Sequence, residues 1–200
     1  MMDFIFTNYK KNNKIIIIKF FFALIATCFP FNFLRIFFLN LIPGFKFKDS
    51  YVGILNIFIA NEVSVDSSKI GNFNCFKLDK INCVNKSIIG SYNKISSNLL
   101  KSNLSMDQSQ ISINNIFYLS KNTHIGKNVI FGGMNTKIFL NESLDTNTSF
   151  GENIFIGSNC VFVTGIKLEK NITIGAGSVV LNSILEPGLY YSKELVRNEK

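Results

Sequence analysis

The sequence is poor in the residues that build metal centres and disulfide frameworks. Its 200 residues contain one histidine and four cysteines, and no two cysteines form a CxxC pair. Structural zinc sites need four closely spaced cysteine or histidine ligands, so we predict no metal site. The thiols are expected to be reduced and mostly packed, as in a cytosolic protein.

Proline and charge are also scarce. Three prolines and 13 glycines exclude collagen-like and low-complexity chains. A composition that is 47% hydrophobic and 17% charged excludes a disordered chain, because it can bury a sizeable core. The length fits one domain, or one domain with an appendage.

The net charge of +8 divides the chain into a head, residues 1–48, and a body, residues 49–200. The head holds seven basic residues, one acidic residue and twelve of the 21 phenylalanines, whereas the body carries only +2. Nucleic-acid binding needs a basic stripe with exposed polar contacts, which the body lacks, so no nucleic-acid partner is predicted.

The head contains two apolar runs, Ile15–Phe29 and Phe31–Ile42. Lys19 interrupts the first run and Pro30 separates it from the second, so neither supplies the roughly 20 apolar residues of a membrane span. We predict two short helices joined at Pro30. Three roles remain open: an export signal, a cap on the open end of the body, and a pair of membrane-surface helices, of which the last two are compatible.

The body has a six-residue period. From Phe150 the chain divides into FGENIF, IGSNCV, FVTGIK, LEKNIT, IGAGSV and VLNSIL, with an apolar first position and an aliphatic or small fifth position. The same period links Ile113 to Leu119, Ile125 and Phe131, and earlier it spaces Cys83, Ile89 and Ile95, Ile70 and Phe76, and Ile59 and Val65.

A strict period of six fits neither a helix nor a simple alternating strand. It fits a triangular solenoid in which each hexad is a short strand followed by a corner, with position one packed inward. Gly and Asn suit the corners, because tight turns often need positive φ. Each coil buries its apolar side only against the next, so the ends need caps.

The stretch from Ile156 to Gly188 resembles the last coils of the hexapeptide-repeat acyltransferases, and residues 50–190 resemble members that modify sugars in surface-polysaccharide synthesis. Such members often begin with an apolar helical segment like residues 10–43. The resemblance implies a mainly β, left-handed parallel β-helix that assembles as a homotrimer and transfers an acyl group from acetyl-CoA or another acyl-CoA to a sugar. It also implies a cytoplasmic protein, with peripheral contact through residues 10–43 to the inner face of the membrane.

The family uses a histidine as general base, because its pKa suits proton removal near neutral pH. At the two positions where this resemblance expects histidine, the sequence has Asn141 and Asn115, which can orient a hydroxyl but cannot take its proton. The single histidine, His124, is therefore the candidate base. Its sixth hexad position predicts an outward side chain, so a surface role is the alternative.

The resemblance places the acyl-CoA donor at the IGS and GAGS corners, Gly157–Ser158 and Gly175–Ala176–Gly177–Ser178, with Lys193 and Arg197 near its phosphates. Corner geometry alone would also require these small residues. Leu181–Asn182 and the closing YYSKELVR depart from the family pattern. Two functions thus stay open, an acyltransferase and a catalytically inactive scaffold or regulatory subunit derived from one, with a decaying gene product as a third.

Overall fold

The computed structural model describes residues 13–97, 101–119, 121–139 and 147–191. It shows a parallel β-solenoid of about seven coils, preceded by two short helices. The mainly β solenoid fold predicted from the hexads is confirmed. Its left-handedness stays a prediction from the resemblance.

The two helices are α1 (Asn13–Cys28) and α2 (Asn32–Asn40), and every strand belongs to one of three parallel sheets. Sheet 1 contains β1 (Phe45–Lys48), β4 (Glu62–Asp66), β7 (Lys80–Val84), β10 (Asn103–Asp107), β13 (Asn122–Ile125), β16 (Thr148–Phe150) and β19 (Lys167–Leu168). Sheet 2 contains β2 (Tyr51–Val52), β5 (Lys69–Ile70), β8 (Ile88–Ile89), β11 (Gln110–Ile111), β14 (Val129–Phe131), β17 (Ile154–Ile156), β20 (Ile172–Ile174) and β22 (Gly188–Tyr190). Sheet 3 contains β3 (Ile57–Ile59), β6 (Cys75–Lys77), β9 (Lys94–Ser96), β12 (Ile116–Tyr118), β15 (Lys137–Phe139), β18 (Val161–Val163) and β21 (Val179–Val180).

The hexad positions form one continuous core along the solenoid axis. The first positions from residue 150 onward all belong to it: Phe150, Ile156, Phe162, Leu168, Ile174 and Val180. Among the hexads before residue 150, the predicted inward position is wrong for two residues. Ile113 is exposed at a corner because its coil directs Ile111 and Phe117 inward, and Ile59 is buried outside the solenoid, under α1.

The recurring glycines serve close stacking rather than positive φ. A Cβ on Gly71 would lie 2.7 Å from the carbonyl carbon of Gly90 in the next coil, and one on Gly126 would collide with the carbonyl oxygen of Gly151. Positive φ is instead taken by asparagines such as Asn128, at 56°. Asparagine tolerates this conformation better than most residues.

An asparagine ladder fills the corner between sheets 2 and 3, running through Asn56, Asn74, Asn93 and Asn115. Each side-chain oxygen accepts hydrogen bonds from the backbone N–H and the side-chain amide of the next rung, at 2.9–3.2 Å. The last oxygen accepts from the Thr136 N–H at 2.9 Å. The ladder pairs the buried amides of the first four coils, and Thr136, Cys160 and Ser178 take the place of asparagine at the same corner of the later coils.

The two helices cover the first coil of the solenoid. Ala23 and Ala26 of α1 and Leu39 of α2 are buried in the solenoid core, which supports the cap role. The predicted pair of helices joined at Pro30 is confirmed. The solenoid begins at β1, within the residues assigned to the head, since β1 already pairs with β4.

A buried arginine ties the helices to the first coil. Arg35 of α2 is 3% exposed, and its guanidinium donates to the carbonyl oxygens of Val52 at 2.6 Å, Phe29 at 2.6 Å and Pro30 at 2.9 Å. The last two carbonyls follow the C-terminal end of α1, where a positive charge is favoured. Arg35 thereby fixes the angle at which the two helices meet.

The helices also present a large apolar surface to solvent. Its exposed side chains are Ile15, Ile18, Phe21, Phe22, Ile25, Phe31, Phe33, Phe37, Phe38 and Leu41. Within the described part of the chain, neither helix has the length and apolarity needed to cross a bilayer. A surface with so many exposed apolar side chains is typical of an interaction site.

Candidate active site

A row of polar side chains runs along the outward face of sheet 1. Strand register aligns one residue from each coil to form this row, which we call the polar column: Lys46, Ser64, Asn82, Ser105, His124, Ser149 and Lys167. Neighbouring members lie on strands about 4.8 Å apart, within hydrogen-bonding reach of one another when their side chains are short. Within the column, His124 lies between the serines of the two adjacent coils, Ser105 and Ser149.

His124 lies on β13 with its side chain exposed, as its hexad position predicted. Its Nδ1 is 2.9 Å from Oγ of Ser105, on the preceding coil. When Nδ1–H donates to this hydroxyl, Nε2 keeps its lone pair and can accept a proton from a ligand. The serine thus holds the ring in an orientation that general-base chemistry requires.

A second row of amides flanks the histidine. Asn103 donates to Asn122 at 2.8 Å, and Asn122 donates to Asn147 at 2.9 Å. Together with Ser149, which lies opposite His124 on the next coil, these groups offer donors and acceptors around the imidazole. Such short polar groups can donate hydrogen bonds to a ligand and accept them from it.

The predicted donor residues lie elsewhere, at the corner between sheets 2 and 3 in the last two coils. The N–H of Gly177 donates to the carbonyl oxygen of Ser158 at 2.8 Å, so the two corners stack directly. A Cβ on Gly157 would come within 2.7 Å of the Ala176 nitrogen, whereas Gly177 has open space and needs glycine for its φ of 73°.

Ser178 and its neighbours line a small surface cavity of about 240 Å³, together with Tyr190 and Tyr191. The Ser178 side chain is 3% exposed, and its hydroxyl forms no hydrogen bond among the described residues. An unpaired buried hydroxyl beside a cavity can serve a ligand as donor or acceptor. The corner therefore has open space beside Gly177 and a Ser178 hydroxyl without a hydrogen bond among the described residues.

Three of the predicted site residues, Asn141, Lys193 and Arg197, lie outside the described residues. Asn115 is described, and it is fully buried in the asparagine ladder with its amide bound to Asn93 and Thr136. A side chain held in this way does not reach an acceptor, so we leave Asn115 out of the proposed site. Its role is to stack one coil on the next.

A single protomer does not bring the candidate base and the donor corner together. His124 is on the outward face of sheet 1, whereas Gly157–Ser158 and Gly175–Ser178 occupy the corner between the other two sheets. Among the described residues no group of three or more His, Cys, Asp or Glu side chains could hold a metal ion.

Sequence analysis missed a basic cluster on the outward face of sheet 3. Lys94 donates to the Tyr118 hydroxyl at 3.3 Å, with its ammonium 5.4 Å from the ring centroid. Lys77, on the adjacent coil, is 3% exposed, and burial lowers its pKa. Burial also raises the pKa of the neighbouring Cys75 thiol, against the opposing charges of Lys94 and Lys77. Coil lengths of 19 and 22 residues bring these side chains together, so a fixed period of six does not reveal them.

The model of the hexapeptide repeat of succinyl-transferase matches residues 148–182. The solenoid thus matches the hexapeptide-repeat model over residues 148–182. The matched residues begin at β16 and include both predicted donor corners.

Curated proteins are similar to a part of this chain. It is 33% identical over 73 residues to the bifunctional protein GlmU of Buchnera aphidicola subsp. Baizongia pistaciae (strain Bp). These 73 residues are 36% of this chain and 16% of that protein. Over 93 residues it is 28% identical to GlmU of Buchnera aphidicola subsp. Acyrthosiphon pisum (strain Tuc7), 46% of this chain and 20% of that protein. The match thus spans a fifth or less of the relatives' length, and no solved structure gives a significant match.

Proposed function

We propose that the protein is an acyltransferase that moves an acetyl or other acyl group from CoA to a sugar in surface-glycan synthesis. The observation that carries the proposal is the His124–Ser105 contact within a face of short polar side chains. The hexapeptide-repeat match and the partial similarity to GlmU support the acyl-transfer class. The sugar acceptor fits the hydroxyl and amide groups of the polar column.

In the proposed reaction, Nε2 of His124 takes the proton of an acceptor hydroxyl while the hydroxyl oxygen attacks the thioester carbonyl. The C–S bond then breaks, the acyl–oxygen bond remains, and the imidazolium returns the proton to the departing thiolate. Ser105 accepts from Nδ1–H and keeps the ring aligned as the charge develops. The acceptor is oriented by Ser149 and Asn122, which flank the ring.

The active site in this proposal forms between protomers of a homotrimer, because one protomer separates His124 from the donor corner. Sheet 2 offers an interface, since its outward face carries the exposed apolar side chains of Ile88, Ile130 and Phe155 in one aligned column. Burying such side chains stabilises an assembly by roughly 1.5–3 kcal/mol each.

We expect the full-length protein to sediment as a trimer at micromolar concentration and the Phe155→Arg variant to sediment as a monomer, because three buried charges would face apolar neighbours. Phe33→Arg is the matched control, since Phe33 is exposed on the helical head rather than on sheet 2. Wild-type protein that remains monomeric in analytical ultracentrifugation would refute the shared site.

The helical head is proposed to hold the protein at the inner face of the cytoplasmic membrane. Its exposed phenylalanines suit the lipid interface, and each lysine near an anionic surface adds about 1 kcal/mol. Flotation with phosphatidylglycerol vesicles at low salt tests this contact. Protein that stays at the bottom of the gradient would leave the head with its capping role alone.

The second candidate is a non-catalytic scaffold, favoured by the single imidazole of the chain and by the absence of a described carboxylate hydrogen-bonded to it. Acetyl-CoA binding and acetyl transfer to a panel of nucleotide sugars separate the two functions. The Ala176→Trp variant should lose donor binding, because Ala176 is exposed at the donor corner, whereas Ile113→Trp, exposed at the same corner of an earlier coil, should keep it. Wild-type protein that binds no thioester would establish the scaffold.

A further inference from the structure

A concave apolar groove of about 420 Å³ lies between α1 and α2. Ile18, Phe22 and Ile25 line it from α1, while Phe38 of α2 and Leu41, just after α2, line the other side. The rings of Phe29 and Phe38 stack at 4.6 Å and close the end nearest the turn between the helices. The opposite end is formed by Lys19, Ile42 and Pro43.

Lys19 is the one charged residue in this lining. Its ammonium donates to the carbonyl oxygen of Asn61 at 2.9 Å, which anchors the side chain at the end of the groove. A lysine ammonium has three donors, so two remain for a ligand. The groove thus combines an apolar trough with a fixed cation at one end.

The size of the groove limits what it can hold. Its volume of about 420 Å³ lies within the roughly 300–1,000 Å³ of pockets that hold small ligands, so a single acyl chain can occupy it. A second copy of this chain would bring an equally basic head against Lys19, which like charges oppose.

We propose that this groove binds one acyl chain of an anionic membrane lipid, with the headgroup phosphate paired to Lys19. The phenylalanines around the groove would lie in the surrounding lipid, while the groove itself takes a single chain in a fixed orientation. The site does not depend on the proposed transferase activity, because neither His124 nor the donor corner contributes to it.

The test is binding of monomeric lysophosphatidylglycerol to the full-length protein, below the micelle-forming concentration, followed by native mass spectrometry and calorimetry. A monoacylglycerol with the same chain, which has no phosphate, is the matched ligand. We expect one saturable site per chain and a preference for the anionic lipid of about fivefold, the effect of one lysine near an anionic group. Lys19→Met should abolish the preference while retaining binding of the chain.

Two adjacent phenylalanines provide the matched variants. Phe21 and Phe22 are both exposed on α1, but only Phe22 lines the groove. Phe22→Ser should weaken binding about tenfold, and Phe21→Ser should leave it within twofold. Non-saturable binding, equal losses in the two variants, or equal affinity for both lipids in the wild-type protein would each overturn the proposal. Removal of residues 1–12 should not change the affinity, and a marked increase would show that this segment of the chain, rather than a lipid, occupies the groove.

Discussion

Replacement of His124 by alanine is expected to lower the turnover of acetyl transfer by about 10²–10⁴-fold, the usual contribution of a general base. His124 is the only imidazole in the chain, and its side chain is exposed with a hydrogen bond to the Ser105 hydroxyl. The measurement is kcat with the best acceptor found, accompanied by the melting temperature, which should stay unchanged.

Two serines of the polar column extend this prediction, one as a second test and one as its control. Ser105→Ala should reduce kcat by about tenfold, because Nδ1–H loses the partner that fixes the ring. Ser64→Ala changes a serine two coils away and should have no effect. Unchanged turnover in His124→Ala would make His124 a surface residue and place the base elsewhere.

The limits of sequence analysis are clearest in the two asparagines that replace an expected histidine. The hexads from residue 150 predicted the fold and the inward residues correctly, because burial of position one repeats without interruption there. Asn115 could not be assigned by analogy, since its role depends on Asn93 and Thr136, which coil lengths of 22 and 21 residues bring into line. The spacing of Asn56, Asn74, Asn93 and Asn115 was the available signal.

The His124–Ser105 contact was equally hidden from the sequence. The two residues are 19 positions apart, on neighbouring strands whose register depends on how many residues the preceding corner holds. The apolar period predicted that His124 points outward but could not identify its neighbour. Periodicity determines the side of the sheet on which a residue lies, whereas corner lengths determine which residue of the neighbouring strand lies beside it.

The substitution Asn93→Leu is expected to lower the free energy of unfolding by about 3–5 kcal/mol. It removes a rung from the middle of the ladder and leaves the Asn115 N–H, the Asn115 side-chain amide and the Ser112 carbonyl without their partner. Each buried polar group left unpaired costs about 1–3 kcal/mol. The introduced leucine also packs poorly against the amides of the neighbouring rungs, which adds strain. Urea unfolding followed by circular dichroism measures the change.

An exposed ladder at another corner supplies the matched control. Asn153 donates to Asn171 and accepts from Asn128 at 3.1 Å in both cases, but it is exposed and has a φ of 56°. Asn153→Gly should alter stability by less than about 1 kcal/mol, because water replaces the lost partners and glycine accepts the backbone conformation. Equal losses in the two variants would show that burial of the inner ladder contributes nothing.

The corner between sheets 3 and 1 differs from the other two in the lengths of chain it holds. Strands β3 and β4 are joined through Ala60–Asn61, whereas β9 to β10 and β15 to β16 enclose residues 97–102 and 140–147. In spite of these differences the strands on either side keep their parallel pairing. The molecule therefore has one edge along which segments of different length can be accepted, and new loops, tags or binding sequences are best grafted there.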